Sequence, residues 1–220
     1  MGHHVLPPMQ GGIPQFAIRD GRMTWNLRLV RQSDAAEIAE IYRPIVESTP
    51  ISFELEPPDE KEIQQRIEHK FTNYPWLVCE NRGRVAGYSY ASQFRERAAY
   101  QWSVETSVYV HSDFRRFGVG RALYISLFRM LTAQGFFNAY AGITLPNPGS
   151  VGLHEALGFR FVGVYRNVGY KMGAWHDVGH WVLPLKPEPT TPQPPLKLAE
   201  IQSDPSWQEM LTAGLSCIRL

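Results

Sequence analysis

The apolar positions of this chain recur with two different periods, which predict a mixture of helices and strands. Ile38, Ile41 and Ile45 are spaced as on one face of a helix. Residues 102–110 instead alternate between an apolar face and a face that carries Glu105. The whole pattern gives the order β-α-α-β-β-β-α-β-α-β-β, a mixed α/β sandwich. The predicted strands lie near residues 27–30, 76–80, 85–92, 102–110, 140–145, 160–166 and 177–185.

Local signals predict where three of the helices begin. Residues 34–37, Asp-Ala-Ala-Glu, match a capping box in front of the first helix. Residues 57–59, Pro-Pro-Asp, precede the second helix. Asn147 followed by Pro148 is typical of an N-cap and the first helical residue, so another helix is expected to start there.

The two ends of the chain lack the periodicity of the middle. Residues 1–26 are rich in Gly and Pro, and we interpret them as a flexible leader. Residues 27–185 form the expected domain. Residues 186–220 hold many prolines, and we expect this tail to be disordered or loosely packed.

Composition narrows the class of protein. Of the 220 residues 44% are hydrophobic and 20% charged, which is typical of a globular protein, and no apolar run is long enough to cross a membrane. The net charge of +1 gives no reason to expect binding to nucleic acid or to a membrane surface. Cys79 and Cys217 suggest neither a disulfide framework nor an activated thiol, which fits a reducing cytoplasm. No metal site is expected.

Residues 115–122, Arg-Arg-Phe-Gly-Val-Gly-Arg-Ala, form a turn between a predicted strand and a predicted helix. Glycines let the backbone approach a ligand, and the amide groups at a helix N-terminus bind phosphate. A P-loop is excluded because Gly120 is followed by Arg121 and Ala122 rather than by Lys and Ser or Thr. A dinucleotide fingerprint is excluded because a third glycine is missing at the required step. The turn therefore predicts a pyrophosphate-bearing ligand of another kind.

The turn and six further segments resemble the GNAT family of acetyl-CoA-dependent N-acetyltransferases, in its phosphinothricin acetyltransferase branch. The resemblance implies the GNAT fold, an α/β fold with a mixed central sheet flanked by helices. It covers nearly all of residues 27–185, and the matching segments occur in the expected order. They are residues 51–54, 74–78, 104–110, 115–120, 142–147, 153–159 and 169–179.

The resemblance implies a donor site and two catalytic residues. From the residues alone, Glu105 is the best candidate for a general base, but an ordinary strand carboxylate fits its position better, and His154 fits an ordinary helical histidine. In the resembled family, the matching glutamate is the proposed general base, and the matching histidine is proposed to assist proton transfer or to polarise the thioester. Acetyl-CoA is the implied co-substrate. Its expected contacts are Val108, Tyr109, Val110, Arg115, Arg116, Phe117, Gly118, Val119, Gly120, Arg121 and Asn147.

The acceptor implied by the resemblance is a small amino acid such as phosphinothricin, methionine sulfone or methionine sulfoximine. Arg95 and Arg97 suit its oxyanions, with Phe53 and Tyr100 lining the pocket. The first cationic position, which can be Lys in relatives, is Arg95 here. Other amines, such as polyamines, antibiotics or protein N-termini, stay open as acceptors, as does a non-catalytic acyl-CoA-binding module. A homodimer is also implied, and residues 170–177 are interpreted as a structural hairpin near the pocket or at the dimer contact.

Overall fold

A computed structural model of the chain describes residues 24–71 and 73–219. Seven strands form one mixed sheet in the order β1-β2-β3-β4-β5-β7-β6, in which only β4 and β5 run parallel. This confirms the predicted α/β class and the order of its main elements. The strands are β1 (Trp25–Leu29), β2 (Trp76–Asn81), β3 (Arg84–Gln93), β4 (Ser103–Val110), β5 (Asn138–Leu145), β6 (Arg160–Lys171) and β7 (Ala174–Pro184).

Helices cover both faces of the sheet. They are α1 (Ala35–Ser48), α2 (Glu60–Phe71), α3 (Val119–Gln134), α4 (Pro148–Ala156), α5 (Leu198–Ile201) and α6 (Trp207–Thr212). Apolar residues of α1 and α2 pack on one face around Trp76 and Tyr88, whereas α3, α5 and α6 share the larger core on the other face with Val104 and Trp181. Leu123 and Leu127 of α3 are fully buried there, each contributing about 2–3 kcal/mol of hydrophobic free energy.

The pairing of β4 with β5 is short. Three residue pairs join them, from Ser103 with Asn138 to Glu105 with Tyr140, although both strands continue for five more residues. The Thr106 hydroxyl donates to the Tyr140 carbonyl at 3.3 Å at the end of the paired part. Beyond this point the two strands separate, so a fork opens in the middle of the sheet.

Three helix starts were predicted. A helix begins at each of them, but the capping box predicted for α1 does not form. Asp34 forms no side-chain cap on α1, because its carboxylate accepts hydrogen bonds from the Arg28 guanidinium at 2.7 and 2.9 Å and from the Arg31 amide at 2.7 Å. Glu37 accepts the Val85 amide at 2.8 Å instead of closing a capping box. Both carboxylates therefore bind the sheet. The other two starts are confirmed, because the Asp59 and Asn147 side chains accept amide hydrogens from the first turns of α2 and α4.

The expectation of a disordered or loosely packed tail is wrong. Residues 196–219, which we call the C-terminal strap, run along α3 from its last residue to its first turn. At one end the Leu196 amide donates to the Gln134 carbonyl at 2.7 Å; at the other, the Arg219 amide donates to the Phe117 carbonyl at 2.9 Å. Apolar residues recur along the strap, but the many prolines of residues 186–220 make this pattern hard to recognise in the sequence. Its buried side chains are Leu198, Ile201, Met210 and Leu211.

Three smaller observations complete the fold. The first strand begins at Trp25, two residues before its predicted start, so the predicted leader overlaps it; residues 1–23 lie outside the described residues. The last two strands extend to Lys171 and from Ala174, which makes residues 170–177 the tip of one long hairpin. None of the described helices is long and apolar enough to span a membrane.

Candidate active site

A cavity of about 70 Å³ occupies the fork between β4 and β5. Successive residues of a strand point to opposite faces, so the fork connects the two sides of the sheet. Ile51 lines the cavity on the face that carries α1 and α2, and Tyr124, Asn147 and His154 line it on the face that carries α3 and α4. A ligand in the fork can therefore be reached from both faces.

The predicted donor turn has the geometry of an anion cradle. Arg116 and Gly118 both adopt left-handed backbone conformations, with φ of +71° and +89°, directly before α3. The amides at this helix start point away from the helix body, where the positive end of its dipole favours an anion. At Gly120, a Cβ atom would contact Leu153, Val110 and Val108 at 3.2 to 3.8 Å, so glycine lets α3 approach β4 closely.

The β4 edge that faces the fork is available to a ligand. Val108, Tyr109 and Val110 pair with β3 on their other side, from Ser89 to Gly87. On the fork side, the pairing with β5 has ended at Glu105. An extended chain with amide groups can therefore continue the sheet there, as the predicted contacts of Val108 and Val110 require.

His154 is buried, and its imidazole joins two hydrogen bonds into a chain. Its Nδ1 lies 2.8 Å from the Ser150 carbonyl, which can only accept, so Nδ1 carries the proton and Nε2 is free to accept. The Tyr124 hydroxyl then donates to Nε2 at 3.1 Å. Burial lowers the pKa of His154 and raises that of Tyr124, so both groups are neutral near pH 7. The phenol lines the cavity and the imidazole orients it.

Glu105 lies at the fork on the opposite face from His154. Its Oε1 is 3.5 Å from where a Cβ atom on Gly142 would lie, and His180 approaches the same point to 3.8 Å through Cε1. Glycine at position 142 thus leaves space between a carboxylate and an imidazole. Within the described part of the chain, His180 Nε2 is buried without a hydrogen-bond partner, and the Tyr165 ring packs on the imidazole at 4.4 Å between centroids. Burial, together with the positive charge of Arg95, lowers the pKa of His180 against the opposing effect of Glu105.

Two of the predicted acceptor residues come together in an aromatic stack beside Glu105. Phe94 stacks on Tyr140, the register partner of Glu105, with ring centroids 4.2 Å apart. The Arg95 guanidinium lies 4.6 Å from the Phe94 centroid, and the Tyr100 ring meets Phe94 edge-on. Cation–π contact and a hydrogen bond from Nη1 to the Phe94 carbonyl at 3.1 Å hold the guanidinium, while its other donors remain available to an anion. Arg97 is exposed and precedes a short 3₁₀ turn over Ala98–Tyr100.

Phe53, the fourth predicted acceptor residue, belongs to a different wall of the site. Its ring packs against the backbone of Gly169, where a Cβ atom would overlap it. The segment around it is fixed by two buried hydrogen bonds from one donor: Lys171 Nζ donates to the carbonyls of Val46 and Ser52, both at 2.7 Å. Among the described residues, no ring contact or hydrogen bond joins Phe53 to Arg95. The predicted acceptor residues therefore belong to two different walls of the site.

Tyr124 and His180 were missed by the sequence reasoning. Tyr124 follows the donor turn at a position that reads as an ordinary core position of α3, and only the fold brings its hydroxyl to His154. His180 lies near the end of the last strand, where alternation gives no signal for chemistry. Both become visible only through the register of β5 with β7, which sets His180 opposite Gly142, and through the packing of α3 on α4.

A family model described as an acetyltransferase (GNAT) domain matches residues 27–180. The chain belongs to the GNAT acetyltransferase family. A phosphinothricin N-acetyltransferase of Streptomyces viridochromogenes is 42% identical over 170 residues, which are 76% of this chain and 93% of that relative. A methionine sulfoximine/sulfone acetyltransferase of Pseudomonas paraeruginosa is 33% identical, over 77% of this chain and 100% of its own length.

Solved structures agree with this membership of the GNAT family. The crystal structure of a phosphinothricin acetyltransferase from Sinorhizobium meliloti in complex with acetyl-CoA is 40% identical, with a TM-score of 0.73. The match covers 78% of this chain and 94% of that protein. The family match ends at residue 180, so the C-terminal strap lies outside it.

Proposed function

We propose that this GNAT acetyltransferase moves the acetyl group of acetyl-CoA to the α-amino group of a small amino acid with a phosphinate, sulfone or sulfoximine side chain. The named relatives act on such acceptors by their descriptions. The observation that carries the proposal is the position of Glu105 at the fork, between the aromatic stack that holds Arg95 and the cavity that reaches His154.

The residues at the fork fit acetyl-CoA, which would supply an acetyl group activated as a thioester. The amides of residues 116–120 and the cations Arg115, Arg116 and Arg121 suit its pyrophosphate. The unpaired edge of β4 at Val108–Val110 suits its amide-bearing arm. The side chain of Asn147 already accepts the Ser150 amide at 3.1 Å, so its amide nitrogen is left to donate to a ligand.

The proposed chemistry is proton removal followed by direct attack. An acceptor amine is mostly protonated near pH 7, and it needs a base before its nitrogen can attack a carbonyl carbon. Glu105 takes that proton on the face of the sheet that carries Arg95. On the other face, the Tyr124 hydroxyl donates its one hydrogen to His154 Nε2, so it must turn away from the imidazole before it can donate to the sulfur that leaves.

Transfer through a covalent cysteine intermediate is disfavoured by the two thiols. Cys79 is buried in β2, and burial raises its pKa to about 12, so its thiolate is scarce near pH 7. Cys217 lies in the C-terminal strap, outside the cavity lining. Both thiols are free, which supports the expected cytoplasmic location.

The test is release of free thiol from acetyl-CoA with a panel of acceptors. We expect turnover with phosphinothricin, methionine sulfone and methionine sulfoximine, and none with spermidine or a peptide N-terminus. The variant Glu105→Gln should lower kcat by about 10²- to 10⁴-fold, the range for general base catalysis. The exposed Glu188→Gln is the matched control. Turnover confined to polyamines or peptides, or full activity of Glu105→Gln, would contradict the proposal.

We further propose that the protein is a homodimer formed through the β6–β7 hairpin. The strand β6 is an edge of the sheet, and its solvent-facing apolar side chains are unusually dense for a monomer surface. They are Phe161, Val162, Tyr165, Val168 and Tyr170 on β6, Met172 in the turn and Trp175 on β7, each at least half exposed.

A further inference from the structure

The end of the C-terminal strap meets the donor turn at its most constrained point. The Arg219 amide donates to the carbonyl of Phe117, the residue that separates the left-handed Arg116 and Gly118. The Cys217 carbonyl lies against Gly118 so closely that a Cβ atom there would overlap it. The strap therefore covers one side of the turn and leaves the opposite side to α4 and the fork.

The turn needs support from outside its own backbone. A non-glycine residue in the left-handed region is strained, and here that residue is Arg116. The turn's own side chains give it little support, because those of Arg115 and Arg116 are exposed to solvent. Phe117 is held from outside the turn by the Arg219 amide, by the ring of Trp25, 6.3 Å away between centroids, and by packing against the main hydrophobic core.

We propose that the C-terminal strap is a positioning element for donor binding. Its last residues hold the 115–118 turn in the conformation that directs the amides towards a pyrophosphate. The family match ends at residue 180, so the strap lies outside it. The inference rests on the assignment of this turn as the pyrophosphate site.

The strap is fastened independently at three points, which makes its end testable alone. The Gly214 amide donates to the Ser126 hydroxyl at 3.1 Å in the middle, and Gln134 binds Leu196 at the far end. The far end lies about 23 Å from the donor turn, at 1.5 Å of rise per residue of α3. Loss of the last contact should leave the rest of the strap in position.

The experiment compares Arg219→Pro with Arg219→Ala in the full-length chain. Proline removes the amide hydrogen, and Ile218 before it has φ −80° and ψ 128°, a conformation that proline accepts. Alanine removes the charged side chain and keeps the amide. We expect Arg219→Pro to weaken acetyl-CoA binding in calorimetry about three- to tenfold, the size of one net hydrogen bond. For Arg219→Ala the Kd should stay near the wild-type value.

Two further measurements separate positioning from general stability. In Arg219→Pro the KM for acetyl-CoA should rise while kcat and the acceptor KM stay unchanged. Gln134→Met, which loosens the far end, should lower Tm and leave the acetyl-CoA Kd unchanged. Equal Kd values for the proline and alanine variants, or weaker binding in Gln134→Met, would overturn the role of the strap. Failure of the wild-type chain to bind acetyl-CoA would instead overturn the proposed function.

Discussion

Glu105 and His154 lie on opposite faces of the sheet, although both belong to the same fork. Under the proposed function, this separation gives the site an acceptor side, with Glu105, Arg95 and His180, and a donor side, with His154 and Tyr124. The two sides communicate only where β4 and β5 have stopped pairing. A carboxylate that accepts a proton and a phenol that donates one are thus kept from exchanging protons directly with each other.

His180 gives the acceptor side a measurable pH dependence of stability. Its pKa is lowered by burial, so the unfolded chain binds a proton at higher pH than the folded protein does. The free energy of unfolding must then decrease as the pH falls below about 6.5, the ordinary histidine pKa. In His180→Phe, which lacks this proton, Tm should fall less between about pH 7.5 and about pH 5.5 than in the wild type. His154 is present in both proteins, so its contribution to the pH dependence of Tm cancels in the comparison.

The exposed His69→Gln serves as the control for His180→Phe and should follow the wild-type curve. Thermal unfolding followed by circular dichroism is sufficient for the measurement. If His180→Phe loses as much Tm as the wild type over the same range, the pKa of His180 is not lowered in the folded protein, and the neutral imidazole inferred there is wrong.

At the scale of elements, the main strands and helices could be predicted because their patterns are local. The alternation in β4 and the 3.6-residue spacing in α1 and α3 each show which side is buried. The strap could not be predicted, because its two helices of four and six residues are too short to show a period. The capping box failed for another reason: Asp34 and Glu37 have the right spacing, but distant partners, Arg28 and the Val85 amide, compete for their carboxylates.

Gly214 shows how tightly the strap packs on α3. A Cβ atom at this position would overlap the backbone of Ala122, which cannot move without shifting the helix. Gly214→Ala should therefore destabilise the protein by about 1–3 kcal/mol, the usual cost of overpacking. The matched control is Gly152→Ala in α4, where nothing lies within 4 Å of the new methyl group. That variant should gain about 0.5–1 kcal/mol from helix propensity.

Chemical denaturation of both glycine variants measures these differences at constant m-value. A Gly214→Ala protein as stable as the wild type would mean that the strap does not pack against Ala122 as described. The two variants can be compared directly because each adds a single methyl group, one in α4 and the other in the C-terminal strap.

At the scale of the whole molecule, the apolar hairpin predicts the assembly state. The double variant Val168→Glu and Trp175→Glu introduces charge on the exposed face of the β6–β7 hairpin and should convert a dimer to a monomer in sedimentation velocity. The control Leu196→Glu, on the strap, should stay dimeric. A wild-type protein that sediments as a monomer at micromolar concentration would contradict the proposed dimer.

The same hairpin links assembly to the acceptor side. Lys171 fastens the hairpin to the segment that carries Phe53, and Gly169 packs under the Phe53 ring. The sequence indicated a hairpin near the pocket or the dimer contact, and these contacts allow both. The split between Phe53 and Arg95 could not be predicted, because their distance depends on the path of the chain between α1 and α2.

Both described ends of the chain converge on Phe117. The ring of Trp25, at the start of β1, packs on its side chain, and Arg219 binds its carbonyl. A purification tag or fusion partner joined directly after Arg219 would therefore begin beside the residues proposed to bind the donor. Acetyl-CoA affinities measured on C-terminally tagged protein should be compared with those of a tag-free preparation. Because Trp25 and Arg219 both contact Phe117, a circularly permuted enzyme could join these two residues, with new termini opened at the Arg82–Gly83 turn.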